Sequence, residues 1–400
     1  MQLALAAVFG HSYDSRVFMA AGYLVGHLQD PYAARDLSAA FHHPLFDVMT
    51  TVGYPPPWPL VLGLLWRLTT LVTPAFLAYA FVIKLPVIAA TIGLAYVAAG
   101  AVERAGAPPG APRAVWIALL FNPLVLFTGA AWGQIDVVVT LLSVGALVLL
   151  CGGRWATSAL LLSLAVCTKP VGWPILLVAL AFLATRSPRR AVAYAAVVAA
   201  AGAAFVLAPF VLLQWDATPI LRHPNAHFLM SGALSYMTVV RLWREPLVLP
   251  GHWWLLSLLW IPAVAVAAAL VLRRGVTDFA DAAARSAALV LVFLLTRTWV
   301  AEPNAVLLVP LVLVPVALGR LDRRLFTAVW AVPLVFAVFD LAPLQLLWAG
   351  FPGAMARVLR TAGRYREATL VARACLVVAW QVLGWWLVVA CGRRSGKEGS

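Results

Sequence analysis

Apolar residues run along this chain in long blocks, broken by short polar or basic stretches. Runs such as AYAAVVAAAGAAFVLAPFVLL (193–213) reach the length of about 20 residues that an α-helix needs to cross a hydrocarbon layer. They show none of the in–out alternation of barrel strands. A backbone in lipid must satisfy its own N–H and C=O groups, so the blocks predict helices. The expected fold class is an all-α polytopic membrane protein with about 11–12 transmembrane helices, by the usual span length.

The breaks set the expected orientation. VERAGAPPGAPR (102–113), GGR (152–154), RSPRR (186–190), RRG (273–275), RLDRR (320–324) and the tail GRRSGKEGS (392–400) are basic and are placed in the cytoplasm. WGQID (132–136), TKPVGWP (168–174), 214–251, TRTWVAEPN (296–304) and 350–368 then fall outside. The alternation closes if WPLVLGLLWRLTTLV (58–72), short and carrying Arg67, lies in the interface instead of spanning. The expected organisation is one transmembrane domain over 1–400. It comprises a partial first span (1–10), a first outer loop with amphipathic helices (11–74) and an N-terminal helix module (75–213). An outer loop (214–251), a C-terminal helix module (252–391) and a cytoplasmic tail (392–400) follow. The opening MQLALAAVFGHSYDS lacks a basic leader and is not read as a cleavable signal; the expectation is a start placed too late or a trimmed first helix.

Composition sharpens this picture. A chain 64% hydrophobic, 11% charged and of mean hydropathy +0.94 cannot make a water-compatible surface for a soluble domain. The net charge of +14 sits in the cytoplasmic breaks, so it is read as orientation and not as an affinity for nucleic acid. Cys151, Cys167, Cys375 and Cys391 lie in or beside apolar runs, without a CxxC or a His partner, and are expected to pack.

Polar residues inside such a chain carry the candidate chemistry. Asp14 follows the first apolar run and opens an amphipathic stretch with Val17, Ala21, Leu24, Val25 and Leu28 on one face. A carboxylate there suits a general base; Ser12 or Asp14 capping the helix would look the same, and both readings stay open. Gln134 and Asp136 occupy a turn between spans, where Asp136 is costly unless partnered. Lys169 and Pro170 interrupt an apolar run, and the lysine there either meets a lipid-linked phosphate or snorkels to the interface. Arg297, Glu302 and Asn304 mark a boundary site, or a hairpin tied by an Arg–Glu pair. His223 and His227 stand four apart, but Pro224 opposes a helix and no third ligand is evident; His42–His43 has the same status. MARVLRTAGRYREATLVARA (355–374) reads as a basic surface helix on lipid head groups.

With these residues in place, the chain resembles the GT-C superfamily of integral-membrane glycosyltransferases. It looks most like the branch that uses polyprenyl- or dolichyl-phosphate sugars, which includes glucosyltransferases of N-glycan assembly, the first GPI mannosyltransferase and bacterial polyprenol-phosphate-mannose enzymes. The resemblance rests on YDSRVFMAAGYLVGHLQDPY, YPPPWP (54–59), NPLVLFTGAAWGQID, TKP and VAEPNAVLLVPL (300–311), and covers roughly 11–185 and 290–320. Gly53, Ala301 and Pro303 depart from the acid, histidine and lysine of some relatives.

The resemblance implies Asp14 as catalytic base. It implies Lys169, Arg297, Glu302 and Asn304 at the donor phosphate and sugar, with Arg16, Tyr54, Gln134 and Asp136 lining the cavity. The function expected is inverting transfer of one hexose, mannose or glucose, from a polyprenyl-phosphate donor to a lipid, glycan or protein acceptor. It would take place on the extracytoplasmic face of the plasma membrane. No cofactor is required, although a divalent ion at Asp136 or Glu302 would be compatible. A flippase for a lipid-linked saccharide, which would need no general base, or a non-catalytic subunit of a glycan-assembly complex are the rival readings.

Overall fold

The computed structural model describes the chain except residues 34, 43–45, 47–51, 223–229, 241, 243–250, 341, 348–364, 366–367 and 393–400. His43, His223, His227 and most of the basic stretch 355–374 therefore lie outside the described residues.

The chain is an all-α polytopic membrane protein. Among the described residues, five helices are long and apolar enough to cross a membrane: Phe76–Arg104, Ala111–Trp132, Pro188–Leu213, Trp253–Arg274 and Leu370–Gly392. Shorter apolar helices, Asp136–Cys151, Trp155–Thr168, Pro170–Ala184 and Glu302–Ala317, accompany them. Lys169–Pro170 and Glu302–Pro303 each end or reset a helix, within the expected breaks 168–174 and 296–304.

The chain begins with α1 (Gln2–Val8) and α2 (Asp14–Gly26). Next come α3 (Pro57–Thr70), α4 (Phe76–Val82) and α5 (Leu85–Arg104). α6 (Ala111–Leu120) leads through a short turn of helix into a π-helix at Leu126–Trp132. α7 (Asp136–Cys151), α8 (Trp155–Thr168), α9 (Pro174–Ala184) and α10 (Pro188–Leu213) complete the first half. The second half holds α11 (Trp260–Arg274), α12 (Phe279–Leu295), α13 (Leu308–Ala317), α14 (Arg323–Phe339) and α15 (Leu370–Gly392).

Two helices show why lipid is needed. α10 starts on Ser187, which accepts the Arg190 N–H at 3.4 Å, and on Pro188; both are favoured at a helix start. Of its 26 residues only Tyr194 is buried, while Val192, Leu207, Val211 and Leu212 stand exposed. An apolar helix with no protein to cover it requires a hydrocarbon solvent. α12 is the opposite case: from Ala282 to Leu295 it is buried throughout, packed against α7, α9, α11, α13 and α15. It is the central post that ties the two halves together.

α2 and α3 form a hairpin-like pair at the N-terminal end. Val17, Ala21, Leu24 and Val25 are buried as the spacing predicts, but Leu28 is 75% exposed. The helix has ended at Gly26 and Leu28 is left-handed at φ 58, so it no longer shares the face. α3 buries Trp58, Leu62 and Trp66 and leaves Leu60, Leu64 and Leu68 exposed, an apolar face on each side.

The basic breaks 186–190, 273–275 and 320–324 meet at one end of the bundle. There Arg186 donates to Val276 O (3.0 Å) and Thr277 O (2.8 Å), and Arg320 makes a two-pronged contact with Asp278 (2.9 and 2.8 Å). The polar breaks containing Asp14, Gln134, Lys169 and Arg297 meet at a single cavity. Within the described part of 355–374, Arg373 is 7% exposed inside α15 and paired with Asp340, and so is not a lipid-surface residue.

The α2–α3–α4 contact leaves no room for a side chain at Gly22, where a Cβ would fall 1.7 Å from Tyr79 Oη and 2.8 Å from Leu62 O. Tyr79 in turn donates to Leu62 O at 3.0 Å. Gly22→Ala is expected to cost about 1–3 kcal/mol through overpacking. A lowered midpoint of thermal unfolding in detergent checks this, and an unchanged midpoint contradicts it.

Candidate functional site

The site is assembled from breaks that are far apart in sequence, and its centre is Asp14. The chain leaves α1, runs through Gly10–Tyr13 and enters α2 at Asp14. The helix has no side-chain cap; instead His11 Nδ1 accepts the N–H groups of Tyr13 (3.3 Å) and Asp14 (3.2 Å). The capping function is thereby taken by His11, and the Asp14 carboxylate is released for other work. Its Oδ2 accepts from Trp132 Nε1 at 2.6 Å and Gln134 Nε2 at 2.7 Å. His11 Nδ1 also stands 3.3 Å from that oxygen. A nitrogen whose lone pair receives two N–H groups cannot donate, so in this tautomer the contact is not an ion pair. The His11 ring stacks on Trp132, centroids 4.3 Å apart.

The local backbone explains how Trp132 and Gln134 both reach Asp14. Asn122 caps the turn after α6 by accepting from Leu124 and Val125 N–H. The helix then widens to π geometry over Leu126–Trp132 and stops at Gly133, which is left-handed at φ +88. A π segment shifts side-chain direction by an extra residue, and glycine allows the reversal that follows. Gln134 is aligned further by Tyr54, whose hydroxyl donates to Gln134 Oε1 at 3.2 Å and leaves the amide N–H₂ for Asp14. Burial, reinforced by the Asp14 and Asp136 carboxylates, pushes the Tyr54 phenol well above its ordinary range, so it keeps the proton it donates.

A second cluster stands beside it. Lys169, extended at the end of α8, donates to both oxygens of Asp136 at 2.9 and 2.7 Å, and its ammonium lies 5.7 Å from the Tyr54 ring centre. Asp136 is 1% exposed and does not line the cavity; it holds Lys169 from behind. Arg297 follows α12, with its guanidinium 5.2 Å from the Phe293 ring centre; burial pulls it down to about 10, which leaves it charged at neutral pH. Glu302 and Asn304 are each 5% exposed in a tight 3-10 turn that opens α13. Beside them, β1 (Gly232–Ala233) pairs in parallel with β2 (Trp299–Val300) and ties the 230–240 segment to this loop.

These groups surround one cavity of about 760 Å³. Asp14, Tyr54, Gln134, Lys169, Arg297, Glu302 and Asn304 all line it. Arg16 does not: its Nε donates to Ser12 O at 2.6 Å, bracing the start of α2. Other residues at the site carried no strong sequence signal. His11 and Trp132 look like loop residues until the chain is folded. Asp340, at the end of α14, lines the cavity and pairs with Arg373 at 2.7 Å. Its signal was the one that marked Asp136, a carboxylate at the edge of an apolar run. Among the described residues no group of three His, Cys, Asp or Glu side chains could hold a metal ion.

The cavity can admit a polar head group of sugar size and is lined by the carboxyl groups of Asp14, Glu302 and Asp340 and by the cations Lys169 and Arg297. The family model of glycosyltransferase family 87 matches residues 52–303. That is more than half of the 400 residues, and the chain belongs to this family. The matched stretch takes in Tyr54, Gln134, Asp136, Lys169, Arg297 and Glu302, while Asp14 and Asn304 lie outside it. No curated protein matches the chain.

Removing Asp136 would strand the Lys169 charge, whose side chain is only 15% exposed. Asp136→Ala is expected to destabilise by about 3 kcal/mol, and Lys169→Met in the same chain to recover most of it. Unfolding in detergent of the single and double variants checks this; equal stability of wild type and Asp136→Ala contradicts it.

Proposed function

We propose that this membrane glycosyltransferase moves one hexose, mannose or glucose, from a polyprenyl-phosphate donor to an acceptor hydroxyl, with inversion at the anomeric carbon. The observation that carries this reading is the placement of Asp14 and the cations Lys169 and Arg297 on the walls of one cavity. The acceptor oxygen attacks the anomeric carbon as its proton passes to the Asp14 carboxylate. The bond from that carbon to the phosphate oxygen breaks, and polyprenyl phosphate leaves with the electron pair. Lys169 and Arg297 stabilise the charge that grows on the departing phosphate. Glu302 and Asn304 line the sugar side.

Trp132 and Gln134 hold Oδ2 of Asp14, and among the described residues no hydrogen bond is given to Oδ1. A base with one oxygen anchored and one open is suited to receiving a proton in a fixed direction. The bidentate Asp136 contact fixes the Lys169 ammonium and spends part of its charge. The apolar sides of the bundle supply the surface on which a polyprenyl tail lies. The extracytoplasmic face follows from placing the basic end in the cytoplasm, which puts the cavity on the far side of the plasma membrane.

The test is transfer of labelled sugar from polyprenyl-phosphate mannose or glucose in membranes containing wild type, Asp14→Asn or Arg297→Gln. Asp14→Asn is expected to lower turnover by about 100-fold or more while still binding donor. Arg297→Gln should raise the donor KM by about tenfold or more, as expected for loss of a charge-assisted hydrogen bond. Full activity of Asp14→Asn, or no product with either donor in wild type, contradicts the proposal.

A further inference from the structure

Lys84 lies in the membrane span Phe76–Arg104, at the break between α4 and α5, and is completely buried. Among the described residues no carboxylate pairs with it. A cation in that position is costly and calls for a reason.

Its contacts supply one. The ammonium donates to Ala6 O at 2.7 Å and to Phe9 O. Both carbonyls are stranded by the bend that leads into Asp14. Gly10 N–H, the normal helical partner of Ala6 O, donates to Leu346 O at 2.7 Å. Tyr13 N–H, which would serve Phe9 O, donates to His11 Nδ1. Ser12 N–H goes to Gln345 O at 3.1 Å. The N–H groups of Gly10, Ser12, Tyr13 and Asp14 therefore go outside a helical ladder, and Lys84 satisfies the carbonyls left on the inner side of the bend. The stem of the same lysine runs against Gly133, where an added Cβ would stand 3.2 Å from Lys84 Cγ. Gly133 separates Trp132 from Gln134, the two donors to Asp14 Oδ2.

We infer that Lys84 is the positioning residue of the site: one buried amino group clamps the segment that carries His11 and Asp14 against the turn that carries Trp132 and Gln134. It touches neither donor nor acceptor, since it does not line the cavity. The inference rests on Asp14 being the base, and it concerns what keeps that base aimed. A misplacement of about 1 Å in such a group costs on the order of 100-fold in rate without a matching loss of substrate binding.

The experiment uses the full-length protein in nanodiscs, comparing wild type, Lys84→Met and Asp14→Asn. For Lys84→Met, kcat should fall about 100-fold while KM for donor and acceptor moves by less than about twofold. Amide hydrogen exchange should accelerate in residues 9–14 and 130–134 and stay unchanged in α10 and α15. A rise in KM at constant kcat, unchanged kcat, or faster exchange throughout the chain overturns the proposal. If Lys84→Met does not fold, Lys84→Gln takes its place in the same readings; failure of both to fold assigns Lys84 to stability and also overturns it. Wild type without transfer activity, or Asp14→Asn with full activity, sinks the catalytic reading instead, and the exchange pattern then decides on the clamp by itself.

Discussion

Two hydrogen bonds onto a single carboxylate oxygen join the start of α2 to a turn 118 to 120 residues further along the chain. A carboxylate at the edge of an apolar bundle is expensive unless donors are already in place. Trp132 and Gln134 supply them, and they can do so only because the helix before them widens and Gly133 turns left-handed. Tyr54 aligns Gln134, and His11 both caps α2 and stacks on Trp132. The polar end of the bundle is thus organised around keeping one charge oriented.

Three other ionisable groups at this end are each held by their own device. Lys169 is set by Asp136 and Asp340 by Arg373, while Lys84 satisfies two main-chain carbonyls. Such pairs add little net stability over well-packed apolar residues, but each fixes the geometry of the segment that bears it. The sides of the molecule need no such care. α10 and the outer face of α3 are apolar and exposed, and lipid is their solvent. The division between apolar sides and a polar end suits the lipid-linked donor proposed above.

The helical class was legible in the sequence, because a chain in lipid has few ways to satisfy its backbone. So were several polar residues of the cavity wall: Asp14, Gln134, Lys169, Arg297 and Glu302 stand in places where apolar residues are cheaper. What could not be read was pairing across distance. Trp132 and His11 look like loop residues, since neither is costly in itself. Asp136 looked like a cavity residue, but it serves Lys169 from behind, and Arg16 braces a helix start. Leu28 fit the amphipathic spacing, but the helix stopped before it. Lys84 was hidden in the middle of an apolar run, where a single lysine does not change the reading of a span.

The most direct measurement is a structure of the full-length protein bound to a non-cleavable phosphonate analogue of a polyprenyl-phosphate hexose. The account predicts the phosphonate against Lys169 and Arg297, and the anomeric carbon facing Asp14 across a gap wide enough for an acceptor hydroxyl. A head group bound outside this cavity, or one whose phosphonate lies against Asp14 with the sugar turned away, would contradict it.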